Sequence, residues 1–311
     1  MKSFQLAAAA LLATTGMAIA QEKVQISYSG VVSVEYASDF NTNENYLYGN
    51  GDVSFRWSTA SDLKFGADIG IETYRSLNGG VSDELTAYYA SGVVEGRFGK
   101  FSIGIPRGVM DQYFTVPALG GSELFDLEFS CFGADLVRCL HFDFNLDNQN
   151  MYGARYDGRI GQIGFGASAF KFSDYSGNVG EIAARYDAGQ WSVALGTTLF
   201  ELDGSSANST SVEVEGHAGR FSGGMAYNTV GSQWSGAESF RAFASYIVND
   251  AVKINTQVWH FQIYDSELTL YSFDLAYKHK SGAVINAGVI TGETISASND
   301  SIFSLSLGYK F

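Results

Sequence analysis

Acidic side chains are concentrated in one stretch of the chain, residues 106–150, where the period-two alternation seen elsewhere is lost. Carboxylates gathered in this way could bind cations, transfer protons, or set the charge of a passage for solutes. The arginines of the stretch are Arg107 and Arg138. A loop of more than about fifteen residues without regular structure is uncommon and is usually functional. The acids are Asp111, Glu123, Asp126, Glu128, Asp135, Asp143 and Asp147.

Both cysteines of the chain, Cys131 and Cys139, lie in the same stretch. Exported cysteines at short spacing usually pair in an oxidising compartment, so we expect a disulfide, with two free thiols as the alternative. The pair has His141 nearby but lacks the Cys-x-x-Cys spacing of a structural zinc site. The sequence therefore predicts no metal centre at the cysteines.

Residues 143–148, Asp-Phe-Asn-Leu-Asp-Asn, are similar to the first half of a calcium-binding loop. Asn148 occupies the position of the turn glycine and Ala154 that of the terminal glutamate, which excludes an EF-hand. A looser calcium site made of loop carboxylates and a simple solvated turn both remain open. No other cofactor is predicted.

Enzymatic and nucleic-acid functions find little support in the residue types. The four histidines are scattered, and no Gly-x-Ser-x-Gly elbow or Ser/His/Asp arrangement is present, so no catalytic residues are predicted. The formal net charge is −14 and the basic residues do not cluster, which argues against a nucleic-acid partner.

The first twenty residues have the pattern of a secretory signal peptide. Lys2 precedes an apolar run over residues 6–13, and Ala18 and Ala20 form a small-residue cleavage site. The run is too short to span a bilayer as a helix. We expect residues 1–20 to be removed and residues 21–311 to form the mature protein.

On both sides of residues 106–150, apolar residues recur at every second position. In the first run, Val32, Val34 and Tyr36 alternate with Ser33 and Glu35. A period of two is the signature of a β-strand, and Gly, Asn, Asp and Ser separate the runs as turns. Alternation between two faces also hides a membrane-spanning strand from a hydropathy scan. The chain is therefore predicted to be all-β.

The connections between these runs alternate in length, as do the short periplasmic turns and longer external loops of outer-membrane barrels. Short connections are expected at residues 59–62, 96–99, 158–161, 187–190, 219–222, 248–251 and 280–283. Longer ones are expected at residues 38–45, 76–83, 173–180, 201–210, 231–238, 263–268 and 292–300. With the stretch 106–150, these connections predict a transmembrane antiparallel β-barrel of about sixteen strands.

The chain resembles the Gram-negative general porins of the alphaproteobacterial type. Its last residues place Phe303, Leu305, Leu307, Tyr309 and Phe311 on one face, and a final strand ending in Phe resembles the insertion signal of outer-membrane proteins. Residues 90–104 (ASGVVEGRFGKFSIG) look like the strand–turn–strand that precedes the constriction loop of these porins. The resemblance covers residues 21–311, although Gly120-Gly121-Ser122-Glu123 stands near the place where many members carry Pro-Glu-Phe-Gly.

This resemblance implies a homotrimer of sixteen-stranded barrels in the outer-membrane lipid of a Gram-negative cell, reached by export. The long third loop, residues 106–150, is expected to fold into the lumen. The implied function is passive diffusion of ions and small hydrophilic solutes. A substrate-specific channel, for sugars for example, is the alternative and predicts a file of aromatic side chains along the lumen. A barrel enzyme and a secreted β adhesin are further alternatives.

Strand parity points several basic residues into the barrel, whereas the loop is acidic. We therefore hypothesise a constriction in which loop carboxylates face a basic wall, so that the field across the pore orients polar solutes. The predicted pore-lining residues are Asp111, Glu123, Asp126, Glu128 and Asp135 of the loop and Arg56, Lys64, Arg155 and Arg185 of the wall.

Overall fold

The computed structural model describes residues 24–38, 43–59, 62–77, 84–123, 137, 138, 140, 151–173, 176–202, 204–232, 236–263, 266–293 and 301–311. Within these residues, sixteen antiparallel strands pair in sequence order, and the first also pairs with the last. The sheet is thus a closed barrel, which confirms the predicted fold class and strand number. No helix in these ranges has the length and apolar character needed to cross a bilayer.

The strands before the long loop are β1 (Gln25–Ser38), β2 (Asn43–Ser58), β3 (Lys64–Ser76), β4 (Glu84–Gly96) and β5 (Gly99–Ile105). Those after it are β6 (Met151–Ile160), β7 (Ile163–Phe172), β8 (Gly177–Asp187), β9 (Trp191–Leu202), β10 (Ser205–Ala218), β11 (Phe221–Ser232), β12 (Gly236–Ile247), β13 (Val252–Ile263), β14 (Ser266–Lys278), β15 (Ala283–Glu293) and β16 (Ser301–Lys310). Between the two groups lie a short helix, α1 (Met110–Tyr113), and a 3-10 turn (Leu119–Gly121).

The short turns lie where the sequence predicts them, at one end of the barrel. The expected longer connections at residues 201–210 and 263–268 are wrong, because β9 and β10 leave only residues 203–204 between them, and β13 and β14 only residues 264–265. The Gly, Ser, Asn and Asp residues of these segments favour loops in the sequence. Their backbones nevertheless continue the ladder of hydrogen bonds, because pairing does not require an apolar face.

Most strands expose apolar side chains outward and bury polar side chains inward. On β14, Tyr271, Phe273 and Leu275 are exposed, whereas Ser272 and Asp274 between them are buried. An outward apolar band with a polar interior is the pattern of a barrel that sits in lipid. Apart from β5, which has seven residues, the strands have at least the roughly 9–11 residues needed to cross a bilayer, and β2 reaches 16 residues.

The two ends of the chain close the barrel beside the short turns. The backbone N–H of Gly30 donates to the carbonyl oxygen of Phe311 at 3.1 Å, and the N–H of Phe311 donates to that of Gly30 at 3.0 Å. A side chain at Gly30 would collide with the Phe311 ring and with the backbone of Asn50. This close approach explains why glycine is required at that point of the seam.

Candidate functional site

The chain leaves β5 at Ile105, and Pro106, which has no N–H to donate to a ladder, stands at the start of the long loop. The next residue, Arg107, reaches the inward faces of β2 and β3. Its Nη2 donates to Asn50 Oδ1 at 2.8 Å, and its Nε and Nη1 form ion pairs with Asp52 and Glu72 at 3.2 and 3.4 Å. Arg107 also lies over the ring of Tyr89, 4.0 Å from its centroid.

Glu72 is completely buried and joins two separate parts of the loop. Besides Arg107, it pairs with Arg138, whose Nη2 lies 2.5 Å from Glu72 Oε1. The hydroxyl of Tyr48 donates to the same oxygen at 3.3 Å. One wall carboxylate therefore fixes the beginning of the loop and a point about thirty residues later.

Strands β6 and β8 hold the next part of the loop. Arg155, paired with Asp157 at 2.7 Å, donates from Nη1 to the carbonyl oxygens of Gly108 and Arg107 at 2.7 and 3.2 Å. Its Nη2 donates to Gln112. On β8, Glu181 Oε2 accepts from the N–H of Val109 at 2.8 Å and from Ser168 at 2.7 Å. These bonds satisfy backbone groups at the start of α1 that the short helix cannot satisfy itself.

Beyond α1 the loop reaches β10. The N–H and Oγ1 of Thr115 both donate to Glu213, at 2.9 and 2.8 Å. Arg185 pairs with Glu213 and Glu215, each at 2.9 Å, and donates to the carbonyl oxygen of Tyr113 at 3.1 Å.

The loop then continues past β12, β13 and β16 to β1. Arg241 donates to the Pro117 carbonyl at 3.3 Å, Gln257 to that of Ala118 at 2.8 Å, and Ser304 to that of Gly120 at 3.0 Å. Ser122 donates to Glu35 on β1, and the Tyr74 hydroxyl of β3 donates to the Glu123 carbonyl at 3.2 Å. The described loop residues 106–123 thus contact inward-facing groups of strands around the closed barrel.

Glycines let this segment lie close against the wall. A Cβ on Gly166 would lie 3.0 Å from the ring of Tyr113 and from Val109, and one on Gly164 would lie 3.1 Å from Tyr113. A Cβ on Gly288 would collide with the backbone of Gly120. These glycines leave flat patches without side chains on β7 and β15, against which α1 and the 3-10 turn are positioned.

This packing raises the pKa of two ionisable groups of the loop. Burial, together with the nearby carboxylate of Asp157, raises the pKa of Tyr113 to about 12, so its phenol stays neutral. Burial opposes the charge of Arg107, but Tyr89, Asp111, Asp52 and Glu72 outweigh that effect and raise its pKa. Both groups therefore keep one charge state throughout the neutral range.

The predicted wall bases all lie inside the barrel and pair with wall acids. Arg56 is 2.7 Å from Asp68, and Lys64 is 3.4 Å from Glu95. Arg155 and Arg185 combine such pairs with bonds to loop carbonyls, as described above. Of the predicted loop acids, Asp111 is exposed and Glu123 is half-buried. Outside the described residues lie Asp126, Glu128, Asp135, both cysteines and the calcium-like residues 143–148.

Sequence reasoning missed the acids that hold the loop. Glu35, Glu72, Glu181 and Glu213 are all at most 2% exposed, and each accepts a hydrogen bond from the loop. Their position on the polar face of predicted strands was a usable signal, because an acid on that face must find a partner once it is covered. Among the described residues, no group of three or more His, Cys, Asp or Glu side chains could hold a metal ion.

A closed barrel with a lipid-compatible outer face and a polar inner face is the architecture of an outer-membrane channel. A family model described as Gram-negative porin matches residues 7–310, and the chain belongs to that family. It is a channel for passive diffusion of solutes across the outer membrane, and not an enzyme.

Solved structures of porins share the fold at low sequence identity. A multiply substituted variant of the Rh. blastica porin is 16% identical, with a TM-score of 0.67, over 92% of this chain and 100% of that one. A porin structure refined at 1.8 Å resolution is 15% identical, with the same TM-score and coverage. Another Rh. blastica variant is 14% identical, with a TM-score of 0.64 and the same coverage. No curated protein matches the sequence.

Proposed function

We propose that the loop is the constriction of this porin and sets the size and charge of the passage. The observation that carries the proposal is the set of bonds from residues 106–123 to the inward faces of strands around the wall. A segment bonded in this way reduces the open cross-section of a barrel that would otherwise leave an aqueous channel. The remainder of residues 106–150 belongs to the same loop in this proposal.

The charges of the proposed passage divide into two groups. Arg155 and Arg185 are engaged by wall acids and loop carbonyls, so we assign them to positioning the loop. Lys64 and Asp111 are more accessible and are proposed to meet the solute directly. Glu123, which is half-buried, and Arg56, which is paired with Asp68, are proposed to act on the solute mainly through their charge. Asp126, Glu128 and Asp135 complete the acidic side of the proposed field.

A substrate-specific sugar channel is less well supported. Most inward aromatic side chains of the described wall are covered by their surroundings, so they offer no open file of rings to a sugar. Leu119 of the loop, for example, packs in one cluster with Trp259 and Phe261. The buried rings of the wall are those of Tyr48, Tyr74, Tyr89, Phe170, Phe172, Phe243, Trp259 and Phe261.

The assembly and export of the protein complete the proposal. Residues 1–20 are proposed to be a signal peptide, removed before Gln21, and Cys131 and Cys139 to form a disulfide in the oxidising periplasm. The mature barrel is proposed to be a homotrimer. Mass spectrometry of the purified protein under native conditions, with and without reductant, checks cleavage, disulfide and subunit number together.

Planar-bilayer recordings test the constriction. The double variant Asp126→Asn, Glu128→Gln removes two loop carboxylates, so we expect a lower preference for cations in the reversal potential under a salt gradient. Asp250→Asn is the matched control, because Asp250 is exposed in a short turn at the end of the barrel. If the double variant kept the conductance and ion selectivity of the wild type, the acidic side of the constriction would be refuted.

A further inference from the structure

Three buried side-chain oxygens on neighbouring positions of the inner wall have no hydrogen-bond partner among the residues that the structure describes. They are Gln257 Oε1, Ser272 Oγ and Asp274 Oδ1. Their residues are 2%, 4% and 2% exposed. Gln257 lies directly opposite Ser272 in the ladder between β13 and β14, and Asp274 follows Ser272 on the same face. Side chains at such positions are close enough to reach a common point.

The remaining polar atoms of these side chains are already used. Gln257 donates its Nε2 to the carbonyl oxygen of Ala118 at 2.8 Å, and Asp274 Oδ2 accepts from Asn255 Nδ2 at 2.6 Å. The unpartnered atoms of Gln257 and Asp274 are therefore acceptors, and the Ser272 hydroxyl oxygen can serve as one. A group that satisfies all three must supply positive charge or donated protons.

The 3-10 turn of the loop lies over this set of oxygens. Gly120 and Gly121 have φ values of +61° and +70°, a conformation that glycine adopts without strain. A Cβ on Gly121 would lie 3.3 Å from Asp274 Cβ and Cγ, and one on Gly120 would lie 3.8 Å from Ser272 Cβ. Because Gly120 and Gly121 have no side chains, the loop backbone can lie close to the three oxygens.

Asp274 has no ion-pair partner in the described part of the chain. The base on the same face, Lys253, is near enough to act on its charge but makes no ion pair with it. An ionised carboxylate buried without a partner is costly, so such groups are normally paired or coordinate a metal. A bound cation would neutralise Asp274 and satisfy the other two oxygens at once.

We propose that Gln257, Ser272 and Asp274 bind one hard cation, Ca²⁺ or Na⁺, beneath the loop turn. The donors are a carboxylate, an amide oxygen and a hydroxyl, which suit hard cations, and the set has no nitrogen or sulfur ligand for a softer metal. The bound ion lies between β13 and β14, beneath the turn Leu119–Gly121. By fixing Gln257, whose Nε2 donates to the Ala118 carbonyl, it supports the loop independently of the wall glutamates.

Terbium luminescence of the purified full-length porin in detergent tests this site, with Tb³⁺ as the probe. Trp259 is buried two residues from Gln257 on the same strand face and sensitises a lanthanide bound there. We expect one saturable emission signal that Ca²⁺ or Na⁺ displaces, and the two competition arms identify which ion the site prefers. Asp274→Asn is expected to weaken Tb³⁺ binding by at least about tenfold, whereas Asp250→Asn leaves it unchanged.

A second variant keeps the test decisive if Asp274→Asn does not fold. Ser272→Ala removes one neutral oxygen and no charge, and is expected to weaken binding by a smaller factor in a folded barrel, as judged by heat-modifiable gel mobility. Equal Tb³⁺ affinity in the wild type and both variants would overturn the proposal. The absence of saturable emission in the wild type would overturn it too, and would assign the three oxygens to buried water.

Discussion

At the scale of single residues, four glutamates of the barrel wall hold the loop, and each is nearly inaccessible to solvent. Glu35, Glu72, Glu181 and Glu213 accept hydrogen bonds from loop backbone, hydroxyl and guanidinium groups. A hydrogen bond to a charged group contributes about 1.5–3 kcal/mol. Because the four come from β1, β3, β8 and β10, the loop is held at separated points rather than at one hinge.

Replacing Glu72 by Gln is expected to loosen the loop more than any change at its exposed residues. The amide keeps the shape but leaves Arg107 and Arg138 without their shared carboxylate, and breaking a buried ion pair costs about 3–5 kcal/mol. We expect a lower thermal transition in detergent and larger conductance fluctuations in single-channel recordings.

Glu238→Gln is the matched control for Glu72→Gln. Glu238 is also a strand glutamate and accepts a hydrogen bond from the hydroxyl of Tyr227, but it is exposed. Fluctuations no larger in Glu72→Gln than in Glu238→Gln would show that this ion pair does not hold the loop.

The sequence predicts which way these side chains point, but it does not predict which groups they contact. Parity along the strands placed Glu35 and Glu72 on the polar face and Arg155 and Arg185 inside the barrel. It could not show that the arginines pair with neighbouring wall acids, because those contacts depend on the register between strands. The loop path also depends on which wall positions are glycine and therefore flat.

At the scale of elements, the loop is defined by where strands stop and where the wall is flat. β5 has only seven residues and ends before Pro106, so the chain turns inward there. The 3-10 turn then rests on Gly288 of β15. In the sequence, Gly120-Gly121 is only a departure from a family motif, whereas in the fold it is the part of the loop that lies against Gly288.

Gly288→Ala is expected to displace the 3-10 turn from the wall. The new Cβ would meet the backbone of Gly120, which cannot move aside as the end of a flexible side chain can. The crowding is expected to cost about 1–3 kcal/mol and to break the bond from Ser304 to the Gly120 carbonyl. Thermal unfolding and single-channel conductance measure the two effects.

Gly180→Ala provides the comparison, because a Cβ there would approach no atom more closely than 4.0 Å. We expect this variant to unfold and conduct as the wild type does. If Gly288→Ala behaved in the same way, the turn would not depend on the flat patch.

At the scale of the whole molecule, the barrel is the most predictable feature. Alternation, short turns and the final strand each follow from local residue types, so a single sequence is enough to predict them. The extent of β9 and β10 beyond the apolar band was not predictable, because polar residues form either loops or extended ladders. Contacts within the proposed trimer depend on a partner surface and leave no such periodic signal.

Phe273→Lys tests the assignment of the outward face to lipid. Phe273 lies in the middle of β14 and is exposed, so the ammonium group would be placed in the hydrocarbon. A Lys near the bilayer midplane costs about 2–4 kcal/mol. Equilibrium folding into lipid vesicles against urea measures this loss, with Phe273→Leu as the control; equal stability of the two variants would contradict the assignment.

The seam between β1 and β16 has a consequence for biogenesis. Because β1 pairs with β16, with Gly30 bonded to Phe311, the sheet closes only when strands far apart in the sequence meet. A chain that stops before β16 would therefore keep two unpaired strand edges, and open edges invite aggregation. The closing hydrogen bonds thus distinguish a chain that has made β16 from one that has not, since only the former can hide both edges.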